Sequence, residues 1–169
     1  MPLITLTAQD RDWMPALGEL FFQVVDEGAS LGFLADVDEP QMRDYWEQVF
    51  DQIGPRHRLW LLHEGSQVLG TVQLSLCGKP NGRHRGEVQK LMVHPSARRR
   101  GVAVQLMAAV ETAAREAGLS LLVLDTTAQS PAEHFYQSQG WQRTGEIPRF
   151  AANPDGTLHA TAVYWKLLD

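Results

Sequence analysis

The sequence predicts a mixed α/β domain with a largely antiparallel sheet of about seven strands and about four helices on its faces. Short apolar segments bounded by Gly and Pro turns indicate strands, and amphipathic segments at helical spacing lie between them. No internal repeat or low-complexity linker interrupts the 169 residues, and the hydrophobic content of 44% suits one core. We therefore expect residues 1–169 to form a single domain.

The N-terminal half is expected to open with the strand "LITLT", followed by two helices and a hairpin. The run after Asp10 places apolar residues at helical spacing and ends at Gly28, a helix stop signal. Pro40 leads into the second helix, "QMRDYWEQVFDQI", which ends before Gly54. The segments "HRLWLLHE" and "QVLGTVQLSLC" flank the turn "GS" and predict a β-hairpin.

The C-terminal half is expected to alternate strands with helices. The strand "EVQKLMV" precedes the helix "VAVQLMAAVETAAREAG", in which Gly118 stands at the left-handed C-cap position. "LSLLVLD" is apolar at nearly every position, which predicts a central strand covered on both faces. "SPAEHFYQSQG" predicts a short helix that opens at Ser130, and "LHATAVYWKLL" predicts the final strand.

Composition excludes several functional classes. The formal net charge of −5 argues against nucleic acid or anionic lipid as a partner. A single cysteine, Cys77, excludes an internal disulfide, and the six histidines lack zinc-binding spacing, so we expect no bound metal. The N-terminus resembles no signal or transit peptide and no apolar run approaches the roughly 18 residues that span a bilayer. We expect a cytoplasmic protein without a membrane partner.

The loop "HPSARRRG" joins an apolar strand to an amphipathic helix. Backbone amides at a helix N-terminus lack intrahelical partners and carry the positive end of the helix dipole, so phosphate is a natural ligand. Gly101 and Ala103 keep side chains small where a diphosphate approaches. A solvated charge run or a nucleic-acid patch is the alternative. The arginines stand between a strand and a helix, and no aromatic residues are interleaved with them. Both features favour a phosphate ligand over these alternatives.

The stretch "EVQKLMVHPSARRRGVAVQLM", followed by "LVLDT" and "HFYQSQGW", resembles the acyl-CoA-binding core of the GNAT N-acetyltransferases. The family motif Q/R-x-x-G-x-G/A is met by Arg98, Gly101 and Ala103. "GASLGFL" and "GEIPRFAANPDGTLHATAVYWK" make the chain look closest to the tabtoxin-resistance acetyltransferases. The resemblance implies a V-shaped splay between the central strands at 87–93 and 119–125, with the pantetheine arm of acetyl-CoA between them. The implied coenzyme contacts are Leu91, Met92, Val93, Arg98, Arg99, Arg100, Gly101, Val102, Ala103, Val104, Ser130 and Tyr136.

Acetyl transfer to an amine requires a base, because an alkyl ammonium of pKa near 10 is neutral in only about one molecule per thousand at pH 7. Glu87, which begins a strand, and Asp125, which ends one, are the candidates, and both positions carry acids in proteins of the resembled type. Asp125 could instead cap a turn, and Glu87 could instead pair with Arg83 or Arg85. Which acid acts, directly or through water, is left open.

Tyr136 lies where the family places the tyrosine that protonates the coenzyme A thiolate; the alternative is a core aromatic paired with Phe135. Ser130 could be both helix N-cap and coenzyme contact, although Gln129 replaces the asparagine common in the family. Cys77 ends an apolar strand without identifiable partners, which favours an inert thiol over an acyl carrier. Direct transfer in a ternary complex is therefore expected.

The resemblance implies an N-acetyltransferase for a small, amino-acid-like or toxin-like amine. The alternatives are a protein or peptide N-acetyltransferase and a non-catalytic acyl-CoA-binding regulator. "GASLGFL", Trp46 and "PRFAANPDGTLH" are expected to form the acceptor pocket. The final strand could pair across a homodimer. Three cations could hold an acceptor carboxylate or be solvated surface residues: Arg43, Arg149 and His159.

Overall fold

Seven strands and four α-helices alternate along the chain in a computed structural model that describes residues 1–169. In chain order they are β1 Leu3–Thr5, α1 Met14–Asp26, α2 Glu39–Gln52, β2 His57–Glu64, β3 Gln67–Leu76, β4 Arg85–Val93, α3 Val102–Glu116, β5 Leu121–Thr127, α4 Pro131–Ser138, β6 Gln142–Ala152 and β7 Leu158–Leu167. These elements confirm the predicted fold class.

All seven strands form one sheet in the order β1-β2-β3-β4-β5-β7-β6. Every neighbouring pair is antiparallel except β4 and β5, which are parallel. β7 lies inside the sheet, between β5 and β6. The expectation that this final strand pairs across a dimer is therefore wrong, because both of its edges are already hydrogen-bonded.

The parallel pair β4 and β5 separates after three residues. Arg85–Glu87 pairs with Leu121–Val123, and no pairing continues beyond Glu87. Both strands extend further, to Val93 and Thr127. The centre of the sheet therefore opens into the V-shaped splay that the resemblance implies.

The helices cover the two faces of the sheet unequally. α3 and α4 pack on one face in a core of 20 buried residues that reaches β5 and β7. α1 and α2 pack on the other face in a core of 15 buried residues, over β2, β3 and the end of β4. β5 is covered on the first face, where Leu122 and Leu124 are buried, but only partly on the second, where Val123 is half-buried and Asp125 is exposed. The expectation that both faces of β5 are covered is wrong, because α1 and α2 stop short of it.

The start of α2 and the presence of β6 differ from the sequence prediction. α2 begins at Glu39, before Pro40, because the Asp38 carboxylate accepts from the Gln41 amide at 2.9 Å and the Gln41 side chain accepts from the Asp38 amide at 3.0 Å. β6 has no counterpart among the strands predicted individually, because Gly145 and Pro148 interrupt its pattern and most of its residues are exposed. No helix combines the length and apolar character that a bilayer-spanning segment needs.

Candidate active site

The edge of β4 that faces β5 is unpaired beyond Glu87. On its other edge, β4 remains hydrogen-bonded to β3 through the pairs Met92 with Thr71 and Val93 with Gly70. Backbone groups in the second half of β4, which includes Leu91, Met92 and Val93, therefore face the splay without a strand partner. An extended ligand can pair with such an edge as an added strand does.

A β-bulge interrupts β4 within the splay. Lys90 and Leu91 together oppose the single residue Val72, and Lys90 has a left-handed backbone with φ of 56°. The bulge changes the alternation of side chains, so that Leu91 packs on the α3 side of the sheet and Met92 on the α1 side. Lys90 therefore lies at the bulge itself, outside the regular alternation of the strand.

The end of the loop of residues 94–101 and the first turn of α3 together present consecutive backbone amides without hydrogen-bond acceptors. None of the backbone N–H groups of residues 98–104 has an acceptor within the chain. Arg99 and Gly101 both have left-handed backbones, with φ of 63° and 79°, and this local curvature turns successive amides toward one side. A Cβ added to Gly101 would meet no atom within 4 Å, so space remains in front of these amides. The geometry suits an anion.

Gly70 in β3 allows α3 to approach the sheet closely. A Cβ at this position would lie 2.5 Å from Cγ1 of Val102 and 3.0 Å from Cδ1 of Leu106. Since Val102 is the first residue of α3, Gly70 sets the position of the helix N-terminus and of the amides before it. The sequence reading did not identify this residue, because a glycine inside a strand has many possible causes.

Two of the three consecutive arginines already contact carboxylates. Arg98 pairs with Glu27, and Nη2 of Arg100 lies 2.8 Å from Oε2 of Glu64. Arg99 forms no salt bridge within 4.0 Å. Exposed pairs of this kind contribute only about 0–1 kcal/mol. They can therefore be exchanged for phosphate contacts at little cost.

A cleft of about 240 Å³ lies beside the splay. Its lining residues come from four strands and are Glu87, Val123, Leu124, Asp125, Ile147, Phe150, Thr161 and Val163. The cleft brings together the two acids that the sequence selected as candidate bases. A larger concavity of about 680 Å³, between Trp13 and His63, contains none of the predicted site residues.

The two acids have different local partners. Oδ2 of Asp125 accepts a hydrogen bond from the buried Thr161 hydroxyl at 2.7 Å, so its orientation is set by β7 and not by turn amides. Glu87 forms no salt bridge with Arg83 or Arg85, which removes the alternative considered for it. Both carboxylates are consequently available to the cleft.

Tyr136 is held in the core between α4 and the sheet. It is only 6% exposed and makes edge-on contacts with Phe135 and Trp141, at ring-centroid distances of 5.3 and 5.9 Å. Burial raises the pKa of the Tyr136 phenol, and the negative charge of Asp125 raises it further. The phenol therefore keeps its proton at physiological pH.

Comparison with known proteins agrees with this geometry. Residues 12–141 match the model of the acetyltransferase (GNAT) family, which covers most of the chain. The chain belongs to the GNAT acetyltransferase family. N-acetyltransferase 8 of Rattus norvegicus is 36% identical over 89 residues, which are 52% of this chain and 40% of that protein. The chain thus matches less than half the length of this curated relative.

Solved structures share the GNAT fold with this chain. An N-acetyltransferase from Staphylococcus aureus Mu50 superposes with a TM-score of 0.79 at 18% identity, with complete coverage of both chains. The structure of yncA from Salmonella typhimurium, determined with its cofactor acetyl-CoA, superposes with a TM-score of 0.76 at 19% identity over 100% of this chain and 95% of that one.

Glu133 stabilises the N-terminus of α4 through a network of hydrogen bonds. It is 8% exposed and accepts hydrogen bonds from Tyr164 at 2.6 Å, Arg143 at 2.7 Å and the Gln129 amide at 2.6 Å. Burial opposes ionisation, but the three hydrogen bonds outweigh it and lower the pKa of Glu133 to about 2. The sequence reading did not find this residue.

Ser130 stands at the N-cap of α4 but does not cap it with its side chain. Its hydroxyl donates to the Thr127 carbonyl at 2.6 Å instead. The preceding residue, Gln129, has a left-handed backbone with φ of 62° and is fixed through its amide by Glu133. The network of Glu133 therefore sets the path of the chain from β5 into α4, and with it the position of Tyr136.

Two distant segments that the sequence analysis assigned to the acceptor pocket contact each other. The Ala35 amide donates to the Pro154 carbonyl at 2.9 Å, and Nε2 of His159 lies 3.1 Å from the Ser30 hydroxyl. The loop of residues 29–37 and the β6–β7 end, both expected at the acceptor pocket, thus lie together. Trp46 is wrongly expected there, because it is 0% exposed within the core of α1 and α2.

The three cations proposed for an acceptor carboxylate have different environments. Arg43 is exposed and pairs with Glu39 at 2.6 Å along α2. Both ring nitrogens of His159 are engaged, by Ser30 and by the Ala160 carbonyl at 2.9 Å. Arg149 is exposed on β6 without a salt bridge.

A fourth cation, Lys90, was not identified from the sequence. It is half-buried, and its Nζ donates to the Leu31 carbonyl at 3.0 Å. The available signal was a lysine inside an otherwise apolar strand. Cys77, by contrast, is half-buried after β3 and does not line the cleft, which agrees with an inert thiol.

Proposed function

We propose that this protein transfers an acetyl group from acetyl-CoA directly to the amine of a small acceptor. One observation carries the proposal. The splay of β4 and β5 is flanked by the unpaired amides of residues 98–104, and the carboxylates of Glu87 and Asp125 line a cleft beside it. Each of these groups has a role in acetyl transfer that follows from its chemistry.

The residues around the splay fit a coenzyme A derivative. The open edge of β4 at Leu91–Val93 suits the amide groups of pantetheine, and the amides from Arg99 to Val104 suit a pyrophosphate. Arg98 and Arg100 can exchange weak carboxylate contacts for the remaining phosphates, with the paired donors that guanidinium offers. Ser130 and Tyr136, in the segment that follows β5, are assigned to the same coenzyme. When bound, acetyl-CoA supplies the acetyl group as a reactive thioester.

Glu87 and Asp125 remove the proton of the acceptor ammonium in this proposal. The amine pKa near 10 leaves it about 99.9% protonated at pH 7, so a carboxylate, alone or through a water, has to accept the proton. Thr161 holds Asp125 in a fixed orientation by the hydrogen bond of 2.7 Å. Asp125 is the better positioned of the two acids for this reason.

Tyr136 donates a hydrogen bond to the departing thiolate. A phenol of raised pKa is a weak acid, and so it does not lose its proton before the thiolate forms. The small cleft supports a small acceptor: about 240 Å³ is below the roughly 300–1,000 Å³ of drug-sized sites. The finer assignment to toxin-like amines, as in the tabtoxin-resistance enzymes, rests on the resemblance of "GASLGFL" and "GEIPRFAANPDGTLHATAVYWK" alone.

Release of coenzyme A thiol tests the proposal. Acetyl-CoA is incubated with amino acids, glutamine-analogue amines and lysine-bearing peptides, and the free thiol is quantified. We expect release that depends on a small amine. Release only with peptides would identify a peptide acetyltransferase, and tight binding of acetyl-CoA without release on any acceptor would support a binding module instead.

A further inference from the structure

The ammonium of Lys90 points toward the loop of residues 29–37. The bulge in β4 gives Lys90 its φ of 56°, and Nζ reaches the Leu31 carbonyl at 3.0 Å. A Cβ added to Gly32 would lie 3.8 Å from the same nitrogen. Because Leu31 packs in the core of α1 and α2, the ammonium lies on that side of the sheet, the side to which Glu87 also projects.

The ammonium of Lys90 is incompletely satisfied by the protein. It carries three N–H donors, and the Leu31 carbonyl accepts one of them. None of the salt bridges of the chain includes Lys90, so no carboxylate lies within 4.0 Å. A half-buried charge is normally paired, because desolvation makes an unpaired one costly. Two donors of Lys90 therefore remain for a ligand.

Lys90 follows Glu87 on β4, both side chains lie on the α1 side of the sheet, and Asp125 lines the cleft beside Glu87. Burial lowers the pKa of Lys90, whereas the negative charges of Asp125 and Glu87 both oppose that change. The ammonium therefore lies on the side of the sheet that carries both carboxylates and forms a salt bridge with neither. An amine that also carries a carboxylate has the complementary arrangement, with its ammonium at the acids and its carboxylate at Lys90.

The three cations selected from the sequence match this role less well. Arg43 already pairs with Glu39, and His159 uses both ring nitrogens within the chain. Arg149 is unpaired but exposed, so water solvates its guanidinium without a ligand. Lys90 alone combines partial burial with unused donors.

We infer that Lys90 determines the acceptor class, by binding the carboxylate of an amino-acid acceptor whose amine lies at Glu87 and Asp125. The inference rests on the proposed acetyl transfer, since it names the acceptor of the same cleft. Lys90 touches the acceptor away from the reacting atoms, so its removal changes acceptor binding more than turnover.

The test compares amino acids with their methyl esters, which keep the amine and lose the carboxylate. Coenzyme A release is measured at saturating acetyl-CoA for the wild type, Lys90→Met, Lys90→Gln and Arg149→Gln. We expect Lys90→Met to lower kcat/KM about 30-fold for the amino acid, mainly through KM, as expected for a lost charged hydrogen bond. The methyl ester should change less than about 3-fold, and Arg149→Gln should show no loss that is selective for the amino acid over its ester. Unchanged acetyl-CoA affinity and thermal midpoint exclude misfolding.

Lys90→Gln separates charge from loop anchoring, because its amide keeps an N–H donor for the Leu31 carbonyl. We expect it to resemble Lys90→Met. The inference would be overturned if kcat/KM fell equally for the amino acid and its ester, or if Lys90→Gln restored kcat/KM for the amino acid. A loss selective for the amino acid in Arg149→Gln would overturn it as well. Wild-type turnover confined to esters or peptides would overturn it while leaving acetyl transfer intact. Absence of release from every acceptor would instead remove the proposed function itself.

Discussion

The surroundings of Tyr136 suit the proposed role of its hydroxyl as a donor and not as a base. Burial and the negative charge of Asp125 both raise the pKa of the phenol, and its ring is fixed by Phe135 and Trp141. A group that keeps its proton through the physiological range can stabilise a thiolate without prior activation. The cost of burying the hydroxyl is therefore consistent with a role in turnover.

Replacing Tyr136 by phenylalanine should lower kcat about 100-fold, since one proton-donating group is lost from the reaction. The affinity for acetyl-CoA should change little, because the ring and its packing remain. Steady-state kinetics and calorimetric titration measure the two quantities. Tyr45→Phe is the control, because it removes a buried hydroxyl bonded to Gln73 and outside the cleft. An equal loss of affinity and kcat in Tyr136→Phe would contradict the assigned role.

Glu87→Gln and Asp125→Asn identify the base through their pH profiles. The variant that lacks the base should lose about 100-fold in kcat at pH 7. The deficit should shrink as the pH rises toward 10, because the amine then deprotonates without help. The other variant should show a smaller loss that does not depend on pH. If neither deficit shrinks at high pH, proton removal is not the role of these acids.

At the level of strands and helices, the position of α3 depends on one small residue beneath it. Gly70 leaves room for Val102 and Leu106, and the unpaired amides of residues 98–104 are carried by the same helix N-terminus. A displacement of α3 therefore acts on the anion site as well as on the core. Stability and coenzyme affinity are linked through this contact.

Gly70→Ala should lower the free energy of unfolding by about 1–3 kcal/mol through overpacking. It should also raise the dissociation constant of acetyl-CoA, since the helix N-terminus moves. Gly54→Ala is a matched control, because its nearest contact to an added Cβ is the Gln52 carbonyl at 3.8 Å. Urea unfolding and calorimetry report the two effects. A destabilised Gly70→Ala with unchanged coenzyme affinity would contradict the link.

The Glu133 network predicts a pH-dependent contribution to stability. The folded pKa of about 2 lies below the unfolded value near 4.3, so the carboxylate stabilises the fold above pH 5. That contribution is lost as the pH falls toward 2. Glu133→Gln should cost about 2 kcal/mol at pH 7 and much less at pH 2.5, as measured by urea unfolding. A difference from wild type that stays constant across this range would exclude the network as its source.

For the molecule as a whole, the family resemblance implied the splay, and the residue patterns were sufficient for the fold class and most of the strands and helices. Those features depend on local patterns, such as the alternation in "HRLWLLHE" and the left-handed φ of 80° at Gly118. The exposed face of β5 was missed because it depends on where α1 and α2 end in space. The edge strand β6 was missed because Gly145 and Pro148 interrupt its strand-like sequence pattern.

The candidate site, like the fold, was predictable where it depends on local sequence and not where it depends on contacts in three dimensions. The loop of residues 94–101 and the acids Glu87 and Asp125 follow from motif and position along the chain. Lys90 and Gly70 could not be selected, because a bulge and a helix contact in three dimensions give them their importance. Glu133 was missed for a similar reason, since its partner Tyr164 lies 31 residues away.

The central claim is that acetyl-CoA and the amine meet in one cleft, without an acyl-enzyme. Initial velocities measured with both substrates varied test it most directly. We predict intersecting lines in double-reciprocal plots, because both substrates bind before the acetyl group moves. Parallel lines would show that coenzyme A leaves before the amine binds, and would contradict direct transfer.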